Sequence, residues 1–270
     1  MQDTDLAQRG LALLGCGKMG SAMLAGWLAR GLPATSVRVQ DPYPTDWLTA
    51  QGVHINEGFG DSPAVVLIAV KPQVMAEALP ALQALPKGDT LFISVAAGIP
   101  MATYEAHLGN VPIVRAMPNT PAAVGKGITA IVGNAQTTEA HLAQAEELLS
   151  AVGEVVRLDS EGQMDAVTGV SGSGPAYVFH MIECLAAAGE AEGLAPDLAM
   201  ALARATVAGA GALAQETGED PAQLRRNVTS PNGTTQAGLE VLMDADTGLP
   251  PLIRATVGAA ANRSKELANG

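Results

Sequence analysis

Residues 11–20 read LALLGCGKMG, a short apolar run followed by three glycines in the spacing G-x-G-x-x-G. The apolar run, residues 11–14, predicts a buried strand, and residues 18–30 predict a helix closed by Gly31. A strand, a glycine-rich turn and a helix in this order are the setting in which this glycine spacing binds a dinucleotide. The stretch therefore predicts the first unit of a parallel α/β fold.

Each of the three glycines has a role in such a turn. Gly15 permits the tight turn, Gly17 lets the backbone approach a pyrophosphate, and Gly20 allows the helix to pack closely on the strand. The unpaired N–H groups at the helix start would then face the phosphates. The alternative interpretation of the glycines, a purely structural turn, stays open. Cys16 also has two interpretations: a low-pKa thiol at a helix start, or a small residue that fills the turn.

Short apolar runs and helical segments alternate up to residue 158. Residues 65–70 are apolar throughout, as in a parallel strand that helices cover on both faces. The alternation favours a parallel α/β sheet. Further strands are predicted at residues 36–39, 90–95, 113–116, 127–132 and 154–158, and a helix at residues 139–152.

The strand signals stop after Asp159. Helices are predicted from there on, at residues 176–189, 198–215, 237–243 and 251–267. We therefore expect two domains, a Rossmann-like dinucleotide-binding domain at residues 1–159 and an all-α domain at residues 160–270. Since the second domain is small and rich in apolar residues, we expect it to bury part of its surface against a partner chain.

Charge and composition exclude several classes of protein. The chain has 15 Lys and Arg against 27 Asp and Glu, a net charge of −12, which disfavours binding to nucleic acid or to an anionic membrane. Its polar start predicts no signal peptide, and Arg204 interrupts the most apolar stretch, so we expect a cytoplasmic protein with no membrane span. Two cysteines and four scattered histidines predict neither a disulfide framework nor a metal site.

Asp41 lies 21 residues after Gly20, at the end of the second predicted strand. An acid at this position can hydrogen-bond a ribose 2′-hydroxyl and favour NAD over NADP. It is equally well explained as a turn residue in the sequence DPYP, residues 41–44. No Arg or Lys lies between Arg38 and Lys71, so no cationic clamp for a 2′-phosphate is visible.

Four further segments are candidates for ligand contacts. AVKP at residues 69–72 and VAAG at residues 95–98 end predicted strands, where ligands of parallel sheets bind, although each can be a plain connection. MPNTP at residues 117–121 is a rigid polar loop that suits a substrate or nicotinamide, or is an ordinary loop. SPNGTT at residues 230–235 offers backbone N–H groups at a helix start, and such groups suit a carboxylate. The alternative is that its Ser and Thr residues are ordinary helix caps.

In this order, and with DAVTGVSGSGPAY at residues 165–177, these motifs resemble the pyrroline-5-carboxylate reductase family over residues 10–268. The segments 165–177 and 230–235 are specific to that family, whereas the glycine spacing is not. The resemblance implies reduction of 1-pyrroline-5-carboxylate to L-proline with NADPH or NADH, the final step of proline biosynthesis. It also implies a Rossmann domain, a helical domain that forms dimers, and assembly of dimers into decamers.

The resemblance also assigns residues. The substrate carboxylate would contact Ser230, Gly233, Thr234 and Thr235, and the Thr235 hydroxyl would be the catalytic group that bonds the ring nitrogen. Asn232 stands where many members have Gly, and we expect it to keep the left-handed loop. The implied cofactor contacts are Gly15, Cys16, Gly17, Lys18, Met19, Gly20, Asp41, Asn56, Ala69, Val70, Lys71, Pro72, Ala96, Ala97, Gly98, Asn119 and Asn227.

Two other functions fit part of the same pattern. One is a reductase of another small imine or keto substrate on the same scaffold. The other is a dimer that senses NAD(P)H without turnover, although a sensor has no need for a second anion site. The predicted helix at residues 176–189 has no lysine, which a hydroxyacid dehydrogenase of similar layout would carry there.

Overall fold

The strands of the first part of the chain form one continuous sheet. In a computed structural model that describes residues 4–85 and 88–269, the strand order is β3-β2-β1-β4-β5-β6-β7-β8. The strands are β1 (Leu11–Leu14), β2 (Val37–Gln40), β3 (His54–Ile55), β4 (Val65–Ile68), β5 (Leu91–Ser94), β6 (Ile113–Met117), β7 (Gly127–Gly133) and β8 (Gly153–Arg157).

Helices alternate with the strands in the first part of the chain and are the regular elements after β8. They are α1 (Thr4–Arg9), α2 (Lys18–Ala29), α3 (Asp46–Thr49), α4 (Met75–Ala78), α5 (Met101–Leu108), α6 (Glu139–Leu149), α7 (Met164–Val167), α8 (Gly174–Ala191), α9 (Pro196–Thr217), α10 (Pro221–Asn227), α11 (Thr234–Leu242) and α12 (Leu249–Asn269). The prediction of a Rossmann-like α/β region followed by a helical region is confirmed.

The central strands are buried on both faces. Leu11 and Leu13 of β1 belong to one hydrophobic cluster, with Trp27 of α2, while Ala12 and Leu14 belong to a second cluster on the other face. Successive side chains of a strand point to opposite faces, so helices on both sides require an apolar residue at every position. This explains why β1 and β4 are apolar without alternation.

Two features of the sheet differ from the predicted parallel order. β6 and β7 pair antiparallel, because only a short 3-10 turn, Thr120–Val124, and a left-handed Gly125 connect them. A connection of this length cannot cross over the sheet to start a parallel strand. The strand β3 was not predicted, since His54–Ile55 is too short to show a periodic pattern.

The chain divides into two compact units. The first is Met1–Gly172 together with Ala260–Gly270, and the second is Ser173–Ala259. In the first unit, the Ser264 hydroxyl of α12 donates a hydrogen bond of 2.7 Å to the Asp165 carboxylate of α7. The predicted division into domains at residues 1–159 and 160–270 stays a prediction.

The second unit leaves much of its apolar surface exposed. Its helices α8 and α9 approach closely, since a Cβ on Gly189 would lie 3.3 Å from the Cβ of Ala199. Large side chains on the same helices are exposed, among them Phe179, Leu198 and Leu202. Among the described helices, α9 alone is long and apolar enough to cross a membrane by length and composition.

Candidate active site

The turn between β1 and α2 has the geometry that its glycines predict. Gly15 has φ +88°, and a Cβ there would lie 3.0 Å from the Ala69 carbonyl oxygen. A Cβ on Gly20 would lie 2.9 Å from the carbonyl oxygen of Gly15, whereas a Cβ on Gly17 would meet nothing within 4 Å. Gly15 and Gly20 are therefore needed for the turn and its packing, and the space beside Gly17 is open for a ligand.

Asp41 joins this turn to the end of β2. Its Oδ2 accepts a hydrogen bond of 2.7 Å from the Cys16 N–H, and its Oδ1 accepts one of 2.8 Å from the Tyr43 N–H. The bond to Tyr43 forms the turn that one interpretation of Asp41 predicts. The predicted hydrogen bond from a ribose hydroxyl to the Asp41 carboxylate stays a prediction.

Asn56 lies beside Asp41, and the backbone of Asp41 holds the Asn56 side chain. Asn56 adopts a left-handed conformation, with φ +58°. Its Oδ1 accepts from the Asp41 N–H at 2.9 Å, and its Nδ2 donates to the Asp41 carbonyl at 2.8 Å. The sequence placed both residues at the cofactor, and the structure brings them into direct contact.

A cleft of about 870 Å³ opens over these residues at the carboxyl ends of β1, β2 and β4. The Nε2 of Gln40, which lines it, is buried and has no hydrogen-bond partner among the described residues. The unpaired amide and the open space at Gly17 fit a polar nucleotide. The predicted residues that line the cleft are Gly15, Cys16, Gly17, Asp41, Asn56, Ala69, Val70 and Lys71.

Other residues of the cleft were not predicted, and some predicted residues lie outside its lining. Tyr43 and Thr45, after β2, and Val74 and Glu77, near α4, line it without a motif that marks them. The predicted cofactor residues outside the lining are Lys18, Met19, Gly20, Pro72, Ala96, Ala97, Gly98, Asn119 and Asn227.

Cys16 is a buried thiol within the turn. Burial raises its pKa, a nearby hydrogen bond with Ser21 opposes the change, and the Asp41 charge adds to it. A thiol with a raised pKa is protonated at neutral pH and is a poor nucleophile. The interpretation of Cys16 as a small residue that fills the turn is the one that the structure supports.

The loop after β5, which contains Ala96, Ala97 and Gly98, is held at both ends. At its start, the Ser94 hydroxyl accepts a hydrogen bond from the Ala96 N–H at 3.3 Å. At its end, the Glu161 carboxylate accepts one of 2.6 Å from the Met101 N–H and pairs with Arg115 of β6. These contacts fix the loop relative to the sheet.

In the rigid loop after β6, the side chain of Asn119 hydrogen-bonds the protein's own backbone. Asn119 is buried, its Oδ1 accepts from the Ile128 N–H at 3.0 Å, and its Nδ2 donates to the Ser171 carbonyl at 3.2 Å. Both ends of the side chain therefore bind the protein's own backbone. Its predicted contact with the cofactor stays a prediction.

The SPNGTT segment forms a tight turn into α11. Asn232 has φ +58°, which confirms the left-handed loop, and the Gly233 N–H donates to the Ser230 carbonyl at 3.0 Å. A Cβ on Gly233 would lie 2.4 Å from the Ser230 Oγ. Across the described chain, no acceptor bonds the N–H of Thr234 or Thr235, as expected for the first turn of a helix. Two exposed donors are thus available to an anion.

Asn227 ends the short helix that precedes this turn. Its Oδ1 accepts a hydrogen bond of 2.7 Å from the Gln223 Nε2. Its side chain is exposed, and its predicted contact near a nicotinamide stays a prediction.

Family models match both parts of the chain. Residues 161–267 match the model described as pyrroline-5-carboxylate reductase dimerisation. Residues 10–98 match the model described as NADP oxidoreductase, coenzyme F420-dependent.

Individual proteins match over nearly the whole chain. A pyrroline-5-carboxylate reductase of Pseudomonas aeruginosa is 42% identical, with 96% of each chain covered. A solved structure of that enzyme from Coxiella burnetii has a TM-score of 0.89 and 35% identity, with 96% of this chain and 98% of that one covered. Another, from Plasmodium falciparum with NADP bound, has a TM-score of 0.82 and 26% identity, with 97% and 99% covered. The chain belongs to the pyrroline-5-carboxylate reductase family.

Proposed function

We propose that this chain reduces 1-pyrroline-5-carboxylate to L-proline by hydride transfer from NADPH or NADH, the final step of proline biosynthesis. The observation that carries the proposal is similarity to reductases of that name over nearly the whole length of both chains. The match therefore includes the nucleotide-binding half as well as the helical half.

The cleft over β1, β2 and β4 holds the dinucleotide. Its pyrophosphate lies at the open space beside Gly17, where the N–H groups at the start of α2 face it. The bound nicotinamide supplies the hydride. Ala96, Ala97, Gly98, Asn119 and Asn227 contact the cofactor beyond the cleft.

The turn at residues 230–235 holds the substrate carboxylate. Ser230 contributes its hydroxyl, and Thr234 and Thr235 contribute N–H groups without other acceptors. Gly233 lets the chain pass close to Ser230. Uncharged donors at the start of a nine-residue helix suit a single carboxylate, since they bind the anion without a cation.

The chemistry explains why the chain needs no general acid at this site. A cyclic imine can arrive protonated on nitrogen, and its carbon C5 is then already electrophilic. The hydride adds to C5, the π pair of the C=N bond moves to nitrogen, and that nitrogen becomes the amine of proline. Thr235 orients the ring through its hydroxyl oxygen, which accepts a hydrogen bond from the protonated ring nitrogen, so positioning supplies most of the acceleration.

Assays and a ligand structure test the proposal. Purified protein should oxidise NADPH or NADH when pyrroline-5-carboxylate is added, with proline formed in equal amount. A structure with proline and coenzyme should show the carboxylate on residues 230–235 and the nicotinamide over the proline ring. Reduction of other imines or keto acids without proline formation would favour a different reductase, and cofactor binding with no turnover would favour a sensor.

The helical domain forms a homodimer, and dimers assemble further into a decamer. Exposed apolar side chains on α8 and α9 and the match to a dimerisation model support the homodimer. A second copy of the chain, rather than lipid, covers α9, which carries Arg204 in its middle and Asp197 and Glu216 near its ends. The acidic protein acts in the cytoplasm and binds neither membranes nor nucleic acids.

A further inference from the structure

Asp41 places a carboxylate at the part of the cleft that receives the ribose next to the adenine. In dinucleotide-binding folds, this ribose lies at the end of β2, where an acid bonds its 2′-hydroxyl or a cation binds a 2′-phosphate. Asp41 directly follows β2 and lines the cleft. The N–H groups of Cys16 and Tyr43 hold both of its oxygens, so the carboxylate cannot easily turn away from a nucleotide.

The cation of β2, Arg38, does not face this position. Arg38 of β2 turns away, since its NH1 donates to the Glu57 carbonyl at 3.3 Å and its side chain packs on Gly60. It lines a separate depression at the opposite end of the strands. Within the described residues, Lys71 is the cation that lines the nucleotide cleft, and Glu77 adds a second acid there.

Lys71 belongs to the other side of the cleft. It follows β4, and β1 lies between β4 and β2 in the sheet. With neighbouring strands roughly 4.8 Å apart, its backbone starts roughly 10 Å from the end of β2. A 2′-phosphate at the end of β2 would thus approach the Asp41 carboxylate first.

We propose that this chain binds NADH in preference to NADPH, and that Asp41 is the residue that sets the preference. The inference rests on the proposed function, since it concerns the cofactor of that reaction. The 2′-phosphate of NADPH would bring up to two further negative charges beside a fixed carboxylate. In NADH the same position carries a hydroxyl, which can donate a hydrogen bond to it.

Nucleotide affinity in the absence of substrate is the direct test. We expect calorimetry or nicotinamide fluorescence to give a dissociation constant for NADH at least about tenfold below that for NADPH. In Asp41→Asn the ratio should move toward NADPH, because the charge is lost while an oxygen remains to accept from Cys16. Asp41→Ser is a second variant with the same expectation should the first not fold.

Asp46→Asn is the matched control, since it removes one exposed carboxylate from the same region outside the cleft lining. Its NADH-to-NADPH ratio should equal that of the unmodified chain, and the ratio of kcat/KM values should follow the ratio of affinities. NADPH binding as tight as NADH binding would overturn the inference, as would an unchanged ratio in both Asp41 variants. If neither nucleotide bound, the proposed function itself would fail.

Discussion

The hydroxyl groups of Ser94 and Tyr104 lie 2.5 Å apart, and both side chains have 0% exposure. Ser94 ends β5, and Tyr104 lies on α5, so this hydrogen bond closes the ends of the loop that holds Ala96, Ala97 and Gly98. The loop thus owes its position to a buried polar pair. A buried pair of this kind is costly to break, because neither hydroxyl can then turn to water.

Burial raises the pKa of Tyr104 to about 12, although the hydrogen bond with Ser94 acts in the opposite direction. Between the unfolded pKa of about 10 and the folded value, the unfolded chain releases this proton while the folded chain keeps it. We expect the free energy of unfolding to fall by up to ~3 kcal/mol over that interval and to be unaffected by Tyr104 below it. Denaturant unfolding at a series of alkaline pH values measures the change.

Tyr104→Phe is the control for this pH dependence. It removes the ionisable group, so the difference in stability between the two proteins should shrink as the pH rises above 10. Near neutral pH the variant should be about 1–2 kcal/mol less stable, since the buried Ser94 hydroxyl loses its hydrogen bond with Tyr104 and keeps only the one from the Ala96 N–H. A difference that stays constant up to the highest pH would show that Tyr104 ionises as readily in the folded chain.

Glu161 holds the other end of the same loop. Arg115 has only 11% side-chain exposure, so removal of its partner leaves a nearly buried charge. We expect Glu161→Ala to cost about 1–3 kcal/mol of stability and to raise KM for the cofactor more than it lowers kcat. Glu161→Gln, which keeps an acceptor for the Met101 N–H, should retain more cofactor affinity than Glu161→Ala. Equal cofactor affinities in the two variants would contradict a role for this hydrogen bond.

The turn between β1 and α2 offers a matched pair of glycine substitutions. Gly20→Ala should destabilise the protein, because its Cβ would press on the Gly15 carbonyl at 2.9 Å. Gly17→Ala should leave the melting temperature nearly unchanged, since its Cβ meets no protein atom within 4 Å. It should nevertheless weaken nucleotide binding by at least about tenfold, because the methyl group fills the space for the pyrophosphate. Unchanged nucleotide affinity in Gly17→Ala would remove Gly17 from the binding site.

The features that sequence predicts here are those carried by local pattern. Glycine spacing predicts the β1–α2 turn, and unbroken apolar runs predict strands with two covered faces, as in β4. Asn232 was likewise predicted to accept a left-handed backbone. Each of these depends on a residue and its near neighbours along the chain.

Contacts between distant parts of the chain were not predictable in this way. Glu161 and the Met101 N–H are separated by 60 residues, and no motif links them. The hydrogen bond from Asn119 to the Ser171 carbonyl was unpredictable for the same reason, since the two residues are 52 positions apart. An exposed polar loop and a buried polar anchor have similar compositions, so only the tertiary contacts distinguish them.

Asn232 allows a test of the carboxylate turn that does not alter its donors. Asn232→Ala should cost roughly 1 kcal/mol of stability, because a side chain with Cβ and no local hydrogen-bonding group disfavours φ +58°. It should also raise KM for the substrate, because the turn presents the N–H groups of Thr234 and Thr235. Asn232→Gly adopts the same backbone without strain and should keep KM near its original value. A KM raised equally in both variants would show that the Asn side chain, not the backbone, matters.

Thr235 distinguishes orientation of the ring from binding of the cofactor. Its hydroxyl, placed on the second residue of α11, is the group proposed to bond the ring nitrogen. Thr235→Ala should lower kcat by at least about tenfold and leave the dissociation constant for NADH or NADPH unchanged, because the nucleotide cleft is formed by other residues. Thr235→Ser restores a hydroxyl and should recover most of the lost rate. Since the N–H of residue 235 is present in all three proteins, loss of rate with the alanine alone assigns the effect to the hydroxyl. An unchanged kcat in Thr235→Ala would exclude that hydroxyl from the reaction, while leaving the backbone carboxylate site intact.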